Sequence, residues 1–153
     1  MSDLISRSEE EWKPVLGYEG IYEVSNLGKI RSVDRYLDCK IKNVNKHLWK
    51  GRIISQQKRK DGRLTVALYS HSKRKRMLVH RVVAEAFIPN PNNYPCINHK
   101  DENPSNNNVE NLEWCTYEYN NNYGTFAERR RKTMEEKGYW CAKKEDKGRW
   151  KLI

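Results

Sequence analysis

Residues 97–120 read INHKDENPSNNNVENLEWCTYEYN, and the polar side chains of this stretch are the most informative in the chain. Asn98 and His99 are adjacent, and Asn111 lies twelve residues beyond His99. Asn120 follows nine residues later. A strand, an Asn-rich loop and a helix that Thr116 can cap would bring the two ends of this stretch together. The stretch therefore predicts one imidazole beside two amide oxygens.

Such a group of side chains fits phosphodiester hydrolysis. A histidine titrates near neutral pH and can take a proton from water. A hard divalent cation such as Mg²⁺ takes oxygen ligands and stabilises the charge that develops on the scissile phosphate and on the departing oxygen. Amide oxygens are neutral ligands, so we expect weak binding of the cation when no DNA is present.

The composition of the whole chain is strongly basic. Its 153 residues include 30 Lys and Arg against 20 Asp and Glu, which gives a formal net charge of +10. This balance indicates a polyanionic partner, and nucleic acid is the first candidate. No run approaches the ~18 consecutive apolar residues of a membrane span. Residues 1–11 lack the apolar run of a secretory signal, so we expect a cytoplasmic protein with no membrane partner.

Cations concentrate in a predicted two-stranded ribbon. Residues 64–69 alternate, with Leu64, Val66 and Leu68 on one face, and residues 75–79 return after a short turn. A charged hairpin can lie in a groove of DNA or along its backbone. The alternative is that the charges only protect an edge strand from aggregation. We expect contacts with DNA from Lys58, Arg59, Lys60, Arg63, Lys73, Arg74, Lys75, Arg76 and Arg81.

The other segments predict short elements. Residues 21–25 and 29–33 predict a β-hairpin around an Asn-Leu-Gly turn, and residues 80–87 predict a short helix. Residues 38–50 are polar without periodicity and predict a loop. The charged tail from residue 124 predicts either a partly helical arm that becomes ordered on DNA or a solvated tail. Its densest cationic point comprises Arg129, Arg130 and Arg131.

Two parts of the sequence resemble known protein families. Residues 79–84 (VHRVVA), 97–101 (INHKD) and 111–116 (NLEWCT) are similar to the HNH endonucleases, and most of all to the homing endonucleases of phages. Residues 12–32, which include GYEGIYEVSNLG, resemble the nuclease-associated modular DNA-binding motif that often precedes that domain. Together the resemblances cover about residues 12–123.

The resemblance to the HNH endonucleases implies a ββα-metal fold, in which two antiparallel strands and a helix hold one divalent cation. His99 matches the general base of that family. Asn98 and Asn120 match its metal ligands, although some members carry Asp at the position of Asn98. Asn111 matches the middle Asn of the motif, which ties the loop to the strand that bears the base. His80 matches a histidine ahead of the site, and we expect it to be structural or at most a phosphate contact.

We therefore expect an α+β chain in three parts. These are a small N-terminal β-rich DNA-binding module (residues 11–57), a ββα-metal HNH nuclease domain (residues 58–123) and a basic C-terminal DNA-binding arm (residues 124–153). The expected activity is site-specific nicking or cleavage of double-stranded DNA with Mg²⁺, Mn²⁺ or another divalent cation. We expect a monomer, encoded by a phage or an intron, in the cytoplasm of a bacterial host.

Two other functions remain open on the sequence. A catalytically silent, sequence-specific DNA-binding protein would bind DNA tightly and in a salt-sensitive way without cutting it. An RNA-binding or ribosome-associated protein would share the basic charge, and competition between duplex DNA and RNA would separate it from the other two.

Overall fold

The computed structural model describes residues 9–41, 44–137, 142–144 and 150–152. The chain divides into two compact units, Met1–Trp114 and Cys115–Ile153. Within the described residues, no helix is both long enough and apolar enough to cross a membrane. The domain boundaries predicted after residues 57 and 123 stay predictions.

The first unit begins with a three-stranded antiparallel sheet of β1 (Trp12–Pro14), β2 (Tyr22–Ser25) and β3 (Ile30–Ser32), with β2 in the centre. The predicted hairpin is therefore confirmed. Its turn closes where Ser25 Oγ accepts a hydrogen bond from the Lys29 amide, and Gly28 takes a φ of 84°, which glycine adopts without strain.

A second hairpin follows, formed by β4 (Arg35–Ile41) and β5 (Val44–Trp49). The prediction of a loop over residues 38–50 is wrong. Tyr36 pairs with Leu48 near the open end of the hairpin, and the register shifts between Asp38 and Ile41. An interrupted register removes the continuous alternation by which a strand is recognised.

The basic ribbon forms part of a three-stranded antiparallel sheet. Its strands are β6 (Gln57–Lys58), β7 (Leu64–Ser70) and β8 (Lys73–Leu78), with β7 in the centre. The turn between β7 and β8 places His71 and Ser72 at φ values of 47° and 62°. The predicted ribbon is confirmed, and β6 extends it on one edge.

Helix α1 (Val79–Phe87) joins the two larger sheets of the first unit in one core. It buries an apolar face, as its periodicity predicts. Pro89 follows closely, and a proline cannot continue a helix. The fully buried core residues come from the N-terminal sheet (Val15, Val24, Ile30), from β7 (Val66, Leu68) and from α1 (Val79, Val82, Val83).

Two short paired strands and the loop between them complete the first unit. They are β9 (Cys96–His99) and β10 (Leu112–Cys115), whose last residue opens the second unit. A 3₁₀ turn at Val109–Asn111 precedes β10, and the side chain of Asn108 caps it by accepting a hydrogen bond from the Glu110 amide.

The second unit contains α2 (Tyr117–Asn122), α3 (Phe126–Glu136) and the antiparallel pair β11 (Ala142–Lys144) and β12 (Trp150–Leu152). The prediction that Thr116 caps a helix is confirmed, because its Oγ accepts a hydrogen bond from the Tyr119 amide. Parts of the predicted basic arm, at residues 138–141, 145–149 and 153, lie outside the described residues.

Candidate active site

His99 ends β9 and is almost completely buried. Its Nε2 lies 3.3 Å from Oδ1 of Asn107, a buried residue of the Asn-rich loop. The Nδ2 of the same amide lies 3.5 Å from the Ser105 carbonyl, which turns the Oδ1 toward the imidazole. Because an amide oxygen can only accept a hydrogen bond, the Nε2 must carry the proton. The Nδ1 is then the nitrogen that can accept a proton from water.

The imidazole of His99 is held in its neutral form. Burial lowers its pKa, and the positive charge of Arg63 acts in the same direction. The hydrogen bond with Asn107 and the carboxylate of Asp101 oppose this shift without reversing it. A neutral imidazole is the form of histidine that works as a general base.

His80 packs against His99 from α1. The two rings meet edge to face, and the Nδ1 of His80 is buried without a hydrogen-bond partner among the described residues. Burial lowers the pKa of His80 to about 3, and the neighbouring His99, Arg63 and Arg81 add to the effect. His80 is therefore neutral and sits in the wall behind His99, a place that fits the structural part predicted for it.

Asn111 ties the loop together at several points. Its Nδ2 donates to Asp101 Oδ1 and to the Asn106 carbonyl, both at 2.9 Å, and its Oδ1 accepts from the Asp101 amide at 3.0 Å. Its own carbonyl accepts from the Lys100 amide at 2.9 Å. These bonds link the residues directly after His99 to the start of β10, so the loop that carries Asn107 has a defined shape.

Asp101 is a central residue of this loop that sequence reasoning did not single out. Besides Asn111, its carboxylate accepts hydrogen bonds from the Asn103 amide and from Nδ2 of Asn106. Burial raises the pKa of Asp101, but the hydrogen bonds outweigh it and the net shift is downward. The sequence did carry a signal, because Asp and Asn side chains that accept from the amide two residues later make Asx turns.

Asn98 precedes His99 on β9 and is 6% exposed. Its Nδ2 donates a hydrogen bond of 2.7 Å to Oε1 of Glu113 on β10. No hydrogen bond joins the side chains of Asn98 and His99 in the described parts of the chain, so the two neighbours have different partners. Glu113 was not predicted to belong to the site, because its contact depends on the pairing of β9 with β10.

Asn120 lies in the second unit, on α2, where its backbone N–H donates to the Thr116 carbonyl. The structure brings His99, His80, Asn107 and Arg63 into one neighbourhood of the first unit. The pairing of Asn98 with Asn120 around a cation stays a prediction.

The donor atoms of this site fit a hard divalent cation better than zinc. Among the described residues, no group of three or more His, Cys, Asp or Glu side chains could hold a metal ion. The Nδ2 of Asn98 is engaged with Glu113, so its oxygen is the atom that this amide can offer to a cation. Mg²⁺ and Mn²⁺ accept neutral oxygen ligands alongside water, whereas zinc sites are built from Cys and His.

An open groove of the first unit is lined by five of the predicted DNA-contacting cations, namely Lys73, Arg74, Lys75, Arg76 and Arg81. It has a volume of about 1130 Å³ and lies between the tip of β1–β2 and the outer face of β8 and α1. Lys58, Arg59 and Lys60 line a second, smaller depression of about 450 Å³. Some of these cations already have partners, since Arg59 and Arg63 pair with Asp61 and Arg81 pairs with Glu85. Arg129, Arg130 and Arg131 are exposed on α3 of the second unit.

Comparison with protein families gives two matches, one that contains this site and one that begins near the first strand. Residues 77–122 match the model of an HNH endonuclease family, and this range contains His80, Asn98, His99 and Asn111. The resemblance of this range to the HNH endonucleases is therefore confirmed. Residues 10–69 match the NUMOD4 motif, so this motif precedes the HNH domain as the resemblance implied.

Individual relatives of the chain come from a virus and a phage. The chain is 44% identical over 78 residues to an uncharacterized HNH endonuclease of Acanthamoeba polyphaga mimivirus, covering 46% of this chain and 24% of the relative. It is 34% identical over 110 residues to DNA endonuclease I-HmuI of Bacillus phage SP01, covering 72% of this chain and 55% of that enzyme.

The fold is also similar to a solved structure that describes DNA binding and cleavage by the HNH homing endonuclease I-HmuI. The TM-score is 0.53 at 30% identity, over 84% of this chain and 59% of that chain. The chain thus spans about half the length of I-HmuI and about a quarter of the mimivirus relative.

Proposed function

We propose that this chain is an endonuclease that hydrolyses phosphodiester bonds of duplex DNA and depends on a divalent cation. The observation that carries the proposal is the imidazole of His99 inside the HNH domain. It is buried and neutral, and Asn107 fixes its tautomer. An uncharged imidazole with one nitrogen left as an acceptor is what general-base catalysis at neutral pH requires.

In the proposed reaction the Nδ1 of His99 takes a proton from a water molecule as that water attacks the phosphorus in line. Asn98 and Asn120 would hold the cation through their side-chain oxygens. The cation, Mg²⁺ or Mn²⁺, supplies positive charge that stabilises the scissile phosphate and the departing 3′ oxygen. His80 and Asn107 keep the imidazole in place and in the correct tautomer.

The DNA would lie along the basic surface of the first unit. Lys73, Arg74, Lys75 and Arg76 are exposed on β8, and they border the groove of about 1130 Å³. Lys58, Lys60 and the arginines of α3 would add further phosphate contacts. Contacts of this kind release counterions, so the affinity should fall steeply as salt rises.

The comparison with I-HmuI supports a homing-type enzyme that nicks or cleaves specific sites. The origin of I-HmuI in a Bacillus phage supports a phage- or intron-encoded protein in the cytoplasm of a bacterial host. We propose that the protein acts as a monomer.

The proposal is tested with supercoiled DNA that bears candidate sites, incubated with Mg²⁺, with Mn²⁺ or with EDTA. We expect nicked or linear products only with the cation. His99→Ala should lower the cleavage rate by about 10²–10⁴-fold while DNA binding is retained. His47→Ala, at an exposed histidine that does not line the groove along β8, serves as the control. Cleavage by the His99→Ala variant at the wild-type rate would contradict the proposal.

One observation favours a second function, a DNA-binding protein that does not cut. The residue beside the base is the neutral Asn98, and a neutral ligand holds a cation less well than a carboxylate does. That function predicts tight, salt-sensitive binding of duplex DNA and no product with any divalent cation.

A further inference from the structure

We propose that Glu113 is a positioning residue that fixes the orientation of the Asn98 amide, so that Oδ1 of Asn98 faces the cation. The inference rests on the proposed function, because it takes Asn98 as a ligand of the cation. Neither the sequence motif nor the proposed reaction assigns a part to this glutamate.

The argument begins with the hydrogen bond between the two side chains. Nδ2 of Asn98 lies 2.7 Å from Oε1 of Glu113, a distance typical of a charge-assisted bond. An ionised carboxylate has only acceptors, so it can bind only the NH₂ end of an amide. The oxygen of Asn98 must then point away from Glu113.

Burial and strand pairing make this orientation difficult to reverse. Asn98 is 6% exposed, so little water is available to solvate a flipped amide. A flip would place two oxygens against each other at hydrogen-bonding distance and leave the NH₂ group without this partner. Since Asn98 lies on β9 and Glu113 on its partner β10, the backbone of the sheet holds the two residues beside each other.

The same contact gives a physical reason for a neutral residue at position 98. An Asp in that place would put two carboxylates at the distance where Asn98 and Glu113 now bond, and like charges at close range repel. In the Asn98–Glu113 pair the negative charge lies on Glu113, on the side of the Asn98 amide that faces away from its oxygen. The partner that orients a ligand is usually worth about 10–100-fold in metal affinity.

The first experiment measures how the full chain binds Mn²⁺, with the metal ion alone as the probe and electron paramagnetic resonance as the readout. Glu113→Leu should weaken Mn²⁺ binding by about 10-fold or more. Glu113→Gln should weaken it less, because its carbonyl oxygen can still accept from Asn98. Glu110→Gln, at an exposed carboxylate of the same loop, is the matched control and should bind Mn²⁺ as the wild type does.

A second measurement uses DNA cleavage at increasing Mn²⁺ concentration. Glu113→Leu should raise the Mn²⁺ concentration for half-maximal cleavage, while the rate at saturating Mn²⁺ and the affinity for duplex DNA change little. A purely structural glutamate would lower the saturating rate and DNA binding together, and that result would overturn the inference.

The third experiment moves the negative charge from position 113 to position 98. It stays informative if Glu113→Leu fails to fold. Asn98→Asp should lower the melting temperature in the absence of metal. The double variant Asn98→Asp with Glu113→Gln should recover it, because the Gln NH₂ group can donate to the new carboxylate. The double variant should also bind Mn²⁺ more tightly than the wild type. Independent, additive effects of the two substitutions would overturn the inference.

Asn98→Ala separates a failure of this inference from a failure of the proposed function. If Asn98→Ala weakens Mn²⁺ binding and Glu113→Leu does not, the orientation argument is wrong and the metal ligand stands. If neither substitution changes Mn²⁺ binding, the assignment of Asn98 as a ligand is wrong, and the inference falls with it.

Discussion

His80 and His99 meet edge to face, with ring centroids 5.1 Å apart and ring planes inclined by 76°. Both rings are buried, and both have lowered pKa values, that of His80 reaching about 3. The site therefore holds two uncharged imidazoles side by side, of which one faces the Asn-rich loop and the other fills the wall formed by α1.

This arrangement predicts how stability depends on pH. The pKa of His80 falls from 6.5 in the unfolded chain to about 3 in the folded one, so below pH 6.5 the unfolded chain binds a proton that the folded chain refuses. The free energy of unfolding should be at its full value above about pH 6.5. It should decrease by about 1.4 kcal/mol per pH unit as the pH falls toward 3.

Denaturant unfolding at a series of pH values checks this dependence. In His80→Leu the free energy of unfolding should depend less steeply on pH between pH 6 and pH 4, and the difference should correspond to about one proton. Asn92→Ala, at an exposed residue whose side chain does not titrate, should keep the wild-type slope. An unchanged slope in His80→Leu would contradict the prediction.

Asn107→Ala should slow DNA cleavage without weakening DNA binding. The substitution removes the acceptor at 3.3 Å from Nε2 of His99, so the imidazole is free to place its proton on either nitrogen. We expect a loss of about 10–100-fold in the cleavage rate at saturating DNA, because only part of the general-base contribution is lost. Single-turnover cleavage and a gel-shift titration measure the two effects, and the exposed Asn92→Ala is the control.

Gly28→Ala should destabilise the chain and disturb the site from a distance. A Cβ at Gly28 would lie 2.9 Å from Cβ of Asn107 and 3.0 Å from its carbonyl oxygen, in addition to the cost of a φ of 84°. Gly20→Ala is a matched control, because Gly20 has a φ of 72° and nothing within 4 Å of its would-be Cβ.

Both alanine variants should lose about 1 kcal/mol or more of stability from the positive φ. Only Gly28→Ala should also slow cleavage, since only there does the new methyl group press on the residue that holds His99. Equal cleavage rates for the two variants would show that the contact with Asn107 does not matter. Thermal melts and single-turnover rates measure the two quantities.

Asn111→Ala should loosen the Asn-rich loop. It removes two hydrogen bonds of 2.9 Å from Nδ2 and one of 3.0 Å to Oδ1, and each such bond contributes about 0.5–1.5 kcal/mol. Hydrogen exchange should report faster exchange at the amides of Asp101 and Asn106, with α1 unaffected. If these amides exchange as slowly as in the wild type, the hydrogen bonds of Asn111 do not hold the loop in shape.

Substitutions on β8 should weaken DNA binding for every sequence alike. Lys75→Ala removes an exposed cation at the groove, and a cation that no longer neutralises a phosphate reduces the slope of log K against log salt by about 0.9. The cleavage rate at saturating DNA should stay the same. Fluorescence anisotropy at several salt concentrations measures the slope, and a selective loss on one sequence would point to base contacts instead.

Local patterns were sufficient to predict several elements correctly. The alternation in β7, the apolar spacing of α1, the turn between β2 and β3 and the cap at Thr116 are all decided by residues close together in sequence. The hairpin of β4 and β5 was missed because its register is interrupted between Asp38 and Ile41.

Part of the site was also predictable from residues that are close together in sequence. The motif pointed to His99 and Asn111 directly, whereas the parts of Asn107 and Glu113 depend on which side chain meets which across the fold. Glu113 reaches Asn98 only because β9 and β10 pair, and Asn107 is fixed partly by contact with Gly28 of the N-terminal sheet. Such pairings follow from the whole packing of the unit.

The shared core of the N-terminal sheet and α1 limits how the HNH segment can be transferred to another protein. Val15, Val24 and Ile30 fill the same interior as Val79 and Val83. A fusion that transplanted only the part from β7 onward would expose the valines of α1 and remove the support behind the Asn-rich loop. A graft would therefore have to start upstream of Trp12, so that the N-terminal sheet is transferred together with the segment that packs on it.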